Sequence, residues 1–138
     1  MLQRLRNDAS TMLLDTSVLV AIDRGVDDRR VQRLDQDGPH YISAVTAAEF
    51  YAGVYLRDGS GEPAAETFLA NAEELHVDSL VAKKAGRLIA EHMENNDGFD
   101  LNDLYIAATA QAYNETVLTT DVSDYEQYDV AVNDWNTF

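Results

Sequence analysis

A short stretch, residues 12–20 (MLLDTSVLV), constrains the fold of this 138-residue chain more than any other. Its first three apolar residues predict a buried strand, and the apolar run from Val18 predicts a helix that Thr16 or Ser17 caps. Asp15 lies where the strand ends. Ligands of open α/β sheets bind in the crevice outside the carboxyl ends of the strands, so Asp15 is a candidate metal ligand. Alternatively, its side chain bonds the first amides of the helix.

Strand and helix patterns alternate through the rest of the chain. Strands are predicted at residues 40–42, 74–77 and 116–119, with an edge strand at 128–132, and helices at residues 29–34, 44–56, 62–71, 79–94 and 101–114. This alternation predicts an α/β fold of three layers, α/β/α, around a central, mostly parallel sheet of four to five strands.

The chain is predicted to hold one domain. Its length is that of a single domain, and no internal repeat or linker divides residues 12–138. Residues 1–11 are polar and carry no hydrophobic period. They are interpreted either as a disordered N-terminal extension or as a mis-assigned start, with Met12 as the true initiator.

The composition restricts the chemistry. There is no cysteine, which excludes disulfides, thiolate zinc sites and cysteine nucleophiles, so that any metal must be held by oxygen or imidazole ligands. The three histidines, His40, His76 and His92, lack metal-ligand spacing, and we assign them no catalytic role. No apolar run is long enough to span a membrane, and the N-terminal residues are too polar for a secretory signal, so we expect a cytoplasmic protein without a membrane partner.

The chain is strongly acidic. It carries 25 acidic and 10 basic residues, a net charge of −15, which is typical of a folded protein adapted to high salt. In molar salt the Debye length falls to about 3 Å, so that carboxylates repel one another less and a polyanionic partner is tolerated. Lys83, Lys84 and Arg87 form either a phosphate-contacting patch or a solvated helix face paired with nearby acids, and the second interpretation is favoured.

Four carboxylates occupy places that can meet in such a fold. Asp15 and Asp121 follow buried strands, Glu49 lies on the helix after the second strand, and Asp103 lies in the first turn of an alanine-rich helix. Crowded together, they would repel by several kcal/mol unless a cation neutralised them or their pKa values rose. Hard divalent cations such as Mg²⁺ or Mn²⁺ are the natural partners.

Each of these positions also has a purely structural interpretation. Asp103, like Asp100, can cap its helix or favour the helix dipole, and Asp121 can close an Asx turn before Ser123. Glu49 can be a half-exposed surface residue next to the predicted apolar stripe of its helix. That stripe consists of Val45, Ala48 and Ala52. A site is absent only if all these structural interpretations hold together.

Four segments, in order, resemble the PIN domain, and most closely the VapC-like toxins of toxin–antitoxin pairs. They are residues 13–23 (LLDTSVLVAID), 43–53 (SAVTAAEFYAG), 101–110 (LNDLYIAATA) and 118–128 (LTTDVSDYEQY). The resemblance covers nearly everything from residue 12 to the C-terminus. It implies a PIN-like fold and a metal-dependent endoribonuclease that hydrolyses RNA phosphodiester bonds.

The resemblance also implies a set of site residues. Asp15, Glu49, Asp103 and Asp121 match the acidic pocket, which is both catalytic and metal-binding and holds one or two Mg²⁺ or Mn²⁺ ions that activate water. The accessory positions are Thr16, Ser17, Thr119 and, as a further acid, Asp124.

The implied partners are an RNA substrate, a second copy of the chain in a homodimer, and a small antitoxin protein that wraps the toxin and inserts into the site. The helices predicted at residues 44–56 and 62–71 are expected to bind the antitoxin. One alternative is a PIN nuclease of RNA processing or quality control, which the neighbouring genes would distinguish.

Two alternatives come from other classes of protein. A phosphotransfer protein is disfavoured because Ser17 stands where haloacid-dehalogenase-like phosphatases have a second aspartate. Receiver domains need a late lysine, and none follows Lys84. A non-catalytic interaction module is disfavoured by the intact acidic set.

Overall fold

A computed structural model describes residues 11–25 and 28–138. Apart from Thr11, the N-terminal segment of residues 1–11 lies outside this part of the chain, and so the two interpretations of it stay predictions. The strands are β1 (Met12–Leu14), β2 (Tyr41–Ser43), β3 (Glu73–Leu75), β4 (Thr116–Thr119) and β5 (Val132–Asp134). The helices are α1 (Thr16–Asp23), α2 (Asp28–Gln36), α3 (Ala44–Arg57), α4 (Glu62–Leu69), α5 (Ser79–Glu94) and α6 (Leu101–Tyr113), and Val122–Tyr125 and Trp135–Thr137 form short 3₁₀ turns.

The strands form one sheet in the order β3-β2-β1-β4-β5, and each neighbouring pair in it is parallel. The chain runs from β1 outward to β2 and β3, then returns to the other side of β1 as β4. A crevice therefore opens at the carboxyl ends of β1 and β4, where the strand order reverses. The backbone N–H of Asp15 donates to the Leu118 carbonyl at 2.9 Å, which places Asp15 in this crevice.

Helices cover both faces of the sheet, because alternate residues of each central strand point to opposite sides. Met12 and Leu14 pack with α1–α4, whereas Leu13 packs with α5 and α6. In β4, Leu118 faces the first layer and Val117 the second. The predicted three-layer α/β/α fold with a parallel sheet is thus confirmed.

The predicted apolar stripe of α3 was wrong. Ala48 and Ala52 are exposed, and the buried face is instead formed by Thr46, Ala47, Phe50 and Val54. Phe50 stacks on Phe68 of α4 with ring centroids 5.2 Å apart. The large aromatic surface, rather than the spacing of the alanines, decides which face of α3 is buried.

The edge strand was also predicted too early. Tyr128 does not lie in a strand but is buried against His92, with ring centroids 5.3 Å apart, and pairing with β4 occurs at Val132–Asp134. Burial of the tyrosine ring holds residue 128 against α5 instead of in the sheet. Among the described residues, no helix is long and apolar enough to cross a membrane.

His40 forms hydrogen bonds to the backbone of both β1 and α2. Its Nδ1 accepts the Met12 N–H at 3.0 Å, and its Nε2 lies 2.8 Å from the Leu34 carbonyl oxygen. Because Nδ1 accepts, Nε2 must carry the proton, and the ring is held as one neutral tautomer. The role of His40 in this contact is structural.

Candidate active site

Asp15 lies at the floor of the crevice and is only 6% exposed. Its Oδ2 accepts the hydroxyl of Ser17 at 3.0 Å and that of Thr119 at 2.8 Å. Those hydroxyls in turn accept the backbone N–H groups of Thr120 and Asp121, each at 3.1 Å. The carboxylate is therefore fixed by neutral donors, which leave its negative charge in place.

These bonds distinguish the two interpretations of Asp15, namely a candidate metal ligand and a side chain that bonds the first amides of α1. Asp15 occupies the N-cap position of α1, but its side chain accepts no hydrogen bond from the helix backbone. The expected capping by Thr16 or Ser17 was wrong. Ser17 donates to Asp15, and Thr16 donates to Glu49 at 2.6 Å. Both hydroxyls orient carboxylates and do not cap the start of α1.

Glu49 is held between two helix starts. Its Oε1 accepts the Thr16 hydroxyl of α1, and its Oε2 accepts the Asn102 side-chain N–H of α6 at 3.1 Å. Ser43, which accepts the Val45 N–H at 3.0 Å, caps α3 and begins the helix that carries Glu49. Asn102 was not predicted from the sequence, although its place directly before Asp103 was a usable signal.

Asp103 is the most perturbed carboxyl group of the centre. Burial, and after it the negative charges of Asp100, Asp15, Asp124 and Glu49, together raise its pKa from 3.8 to about 7. The helix-capping role falls to Asp100, whose Oδ1 accepts the Asp103 N–H at 3.0 Å. Asp103 is thus not the cap of α6, although it lies in the first turn, where its charge still favours the helix dipole.

Asp121 and Asp124 share the turn after β4 but differ in their contacts. Asp121 Oδ1 accepts the backbone N–H and the hydroxyl of Ser123, which forms the Asx turn that the sequence allowed. Asp124 is exposed, and its pKa is raised by partial burial and by the charges of Asp121, Asp15 and Asp100. The turn thus places Asp124 in the electrostatic reach of Asp15, while one oxygen of Asp121 is engaged locally.

Tyr125 lies beneath this centre and was not predicted. Its side chain is fully buried, and within the described residues its hydroxyl has no hydrogen-bond partner of ordinary length. Burial and the nearby charges of Asp15 and Asp103 raise its pKa, so that the hydroxyl stays protonated. It is a neutral donor placed next to carboxylates.

The centre offers the donor chemistry that hard divalent cations prefer, since carboxylate and hydroxyl oxygens surround it. Burial and the neighbouring negative charges raise the pKa values of Asp103 and Asp124, so a bound cation would relieve the repulsion between these carboxylates. As the side chains of the described residues stand, however, no three histidine or acidic groups lie close enough to hold an ion. Binding of a metal by three carboxylates would therefore require at least one of them to turn from its present position.

Comparison with known proteins identifies one family. The PIN domain model matches residues 12–131. Ribonuclease VapC1 of Methanocaldococcus jannaschii is 27% identical over 125 residues, which are 91% of this chain and 86% of that protein. The structure of VapBC-1 from nontypeable Haemophilus influenzae matches with a TM-score of 0.81 and 20% identity, over 91% of this chain and 98% of the other. VapBC-5 of Mycobacterium tuberculosis, described as a member of the VapBC family of toxin–antitoxin systems, matches with a TM-score of 0.66 and 27% identity over 90% and 96%.

Proposed function

Because the chain belongs to the PIN domain family, we propose that it is an endoribonuclease that acts as the toxin of a toxin–antitoxin pair. The observation that carries the proposal is the convergence of Asp15, Glu49 and Asp103 at the topological switch point of the sheet. These side chains come from three separate parts of the chain. Glu49 accepts hydrogen bonds from Thr16 and Asn102, the chain neighbours of Asp15 and Asp103. The charges of Asp15 and Glu49 also raise the pKa of Asp103.

We further propose that the centre works with Mg²⁺ or Mn²⁺. A bound ion would supply an activated water and stabilise charge on the scissile phosphate. Asp15, Glu49 and Asp103 are the residues that would hold it, with Asp121 and Asp124 at the rim. The hydroxyls of Ser17 and Thr119 keep Asp15 oriented, and Thr16 and Asn102 keep Glu49 oriented. Because Asp103 has a pKa of about 7, protons and cations compete for it near neutral pH.

The antitoxin is proposed to bind over α3 and α4. These helices pack together, and between them and α1 lies a cleft of about 240 Å³ that Phe50, Val54 and Ala65 line. Tyr55 and Leu56 of α3 are 54% and 87% exposed, so that apolar surface of this helix is available to a partner. The expected homodimer, the cytoplasmic location and the adaptation to high salt stay proposals, the last supported by the net charge of −15.

The test is an RNA cleavage assay with three proteins. The wild-type chain is expected to cut single-stranded RNA in Mg²⁺ or Mn²⁺, and excess chelator is expected to abolish cleavage. Asp15→Asn keeps the size of the side chain but removes its charge, so we expect at least a hundredfold loss of rate with the fold intact by circular dichroism. Glu94→Gln, an exposed carboxylate at the end of α5, is the matched control and should cut like the wild type.

Cleavage that persists in chelator would refute the metal-dependent mechanism. Absence of cleavage by the wild type under every metal condition would refute the ribonuclease assignment. The toxin role has its own test, in which expression arrests growth of a host and co-expression of the protein encoded directly upstream restores it. A chain that cuts RNA without arresting growth would instead be a processing nuclease.

A further inference from the structure

We propose that single-stranded RNA crosses this molecule along three adjoining clefts, with the carboxylate centre in the middle. Arg24 and Arg57 would contact its phosphates on one side, and Lys84 and Arg87 on the other. This inference rests on the proposed ribonuclease function and adds to it the path and the phosphate-contacting residues.

The first cleft opens directly from the carboxylate centre. It has a volume of about 320 Å³, and its lining includes Thr16 and Glu49 of the centre together with Arg24 and Arg57. Arg57 is exposed at the end of α3, and its Nε donates to the Gly53 carbonyl at 3.3 Å, which directs the guanidinium along the helix. A phosphate next to Glu49 thus has two arginines within the same cleft.

The second cleft is lined by other carboxylates of the centre and shares a lining residue with the third. Asp103 and Asp124 line the second cleft together with Gln127. Gln127 also lines the third, which has a volume of about 330 Å³ and is bordered by Lys84 and Arg87 of α5. Because the clefts share lining residues with the centre or with each other, an extended strand can pass from one end to the other.

The distribution of positive charge supports this path. Arg30 and Arg33 are occupied at the C-terminus, where they donate to the carbonyls of residues 135 and 138 and pack on the Trp135 and Phe138 rings. In contrast, Lys84 is half-buried at the third cleft and forms no ion pair with a carboxylate of the described residues. In a chain with a net charge of −15, cations placed beside the acidic centre reduce local repulsion of a polyanion.

The sequence left two interpretations of the basic residues of α5, a phosphate-contacting patch and the favoured solvated face, and this placement separates the residues between them. Lys83 is exposed and does not border the cleft, whereas its neighbour Lys84 does. Acidic residues share the clefts, namely Asp23 in the first and Glu91 and Asp129 in the third. We therefore expect contacts that are weak one by one and strongly dependent on salt.

Lys83 and Lys84 provide a matched pair for the test. In an Asp15→Asn background, binding of a fluorescein-labelled single-stranded RNA of about 20 nucleotides, longer than a usual single-strand site, is followed by anisotropy over a range of KCl concentrations. Each phosphate contact to a single strand contributes about 0.7 to the slope of log affinity against log salt. Lys84→Gln, Arg87→Gln, Arg57→Gln and Arg24→Gln should each lower the slope by up to that amount. Lys83→Gln should leave it unchanged.

A second readout uses the native carboxylate centre. The same substitutions should raise KM for the long RNA severalfold, and by more than they raise KM for a trinucleotide, while kcat changes little. Equal salt slopes and equal KM values for Lys83→Gln and Lys84→Gln would overturn the path through the third cleft. Unchanged slopes and KM values for the arginine variants would overturn the path through the first. Failure of the wild type to cut any RNA would instead count against the proposed function, so the two failures are distinguishable.

Discussion

Replacement of Asp103 by asparagine is expected to stabilise the metal-free protein above neutral pH. The pKa of Asp103 is raised to about 7 from an ordinary 3.8, because the side chain is partly buried among other carboxylates. In full, that difference corresponds to at most about 4 kcal/mol, but the side chain is partly exposed, and screening by water reduces the expected gain to about 1–2 kcal/mol. For a chain of this length the melting temperature should rise by about 3–6 °C.

The protonation of Asp103 determines whether the stability difference between the variant and the wild type grows or shrinks with pH. A carboxyl group whose pKa is higher in the folded than in the unfolded state binds protons better when folded, so wild-type stability falls as pH rises from about 4 to about 7. Asparagine does not titrate. The stability difference between Asp103→Asn and the wild type should therefore be near zero at pH 4, grow between pH 4 and 7, and be complete at pH 8.

The assay is thermal unfolding in chelator at pH 5 and pH 8, followed by circular dichroism. Glu94→Gln, which removes an exposed carboxylate far from the centre, serves as the control and should show no such pH dependence. Addition of Mn²⁺ at pH 8 should raise the melting temperature of the wild type more than that of Asp103→Asn. A variant that is less stable than the wild type at both pH values would refute the argument that uncompensated negative charge at this centre destabilises the folded protein.

Three further substitutions test residues that stabilise the fold or orient the carboxylate centre. Thr119→Val removes the hydroxyl that donates to Asp15, so cleavage should fall about 10–100-fold; unaltered cleavage would mean that the hydroxyl does not orient the carboxylate. Because the substitution also leaves the Asp121 N–H without its partner, urea unfolding should show a loss of about 1–3 kcal/mol. His40→Phe leaves the Met12 N–H and the Leu34 carbonyl without their partner and should lower the free energy of unfolding by about 2–4 kcal/mol in urea titrations, whereas a loss below about 0.5 kcal/mol would contradict the structural role. Trp135→Ala removes a ring that is only 4% exposed and should cost about 3–5 kcal/mol by the same method, and a neutral effect would show that the C-terminal turn contributes little to the core.

The sheet and the meeting of distant carboxylates were predictable because both follow from period and topology. Apolar runs of three or four residues, separated by helical patterns, require parallel strands covered on both faces. Once β1 and β4 are neighbours, a residue that ends β1 must lie next to the residues that end β4. Asp15 and Thr119 illustrate this, since they are 104 positions apart in the chain and hydrogen-bonded in the fold.

The parts that could not be predicted depend on packing rather than on pattern. The turn after β4 has acids at positions 121 and 124, and only its 3₁₀ geometry determines that Asp121 bonds Ser123 while Asp124 lies within reach of Asp15. In α5, Leu80 is 47% exposed, whereas Val81 beside it is fully buried. A helical period cannot distinguish two adjacent apolar residues at the edge of a buried face.

The way in which the carboxylates are held explains how so acidic a chain could act on a polyanion. Among the described residues, neutral hydroxyl and amide donors orient Asp15 and Glu49, and no hydrogen bond to either comes from an arginine or a lysine. An arginine in that position would orient a carboxylate equally well but would also neutralise it and so compete with a metal cation. Here the negative charge of the centre stays available to a metal ion. Positive side chains lie in the adjoining cleft, which Arg57 and Glu49 both line. The net charge of −15 is therefore a poor guide to the local field along the proposed path, because what a phosphate meets depends on which side chains line the cleft.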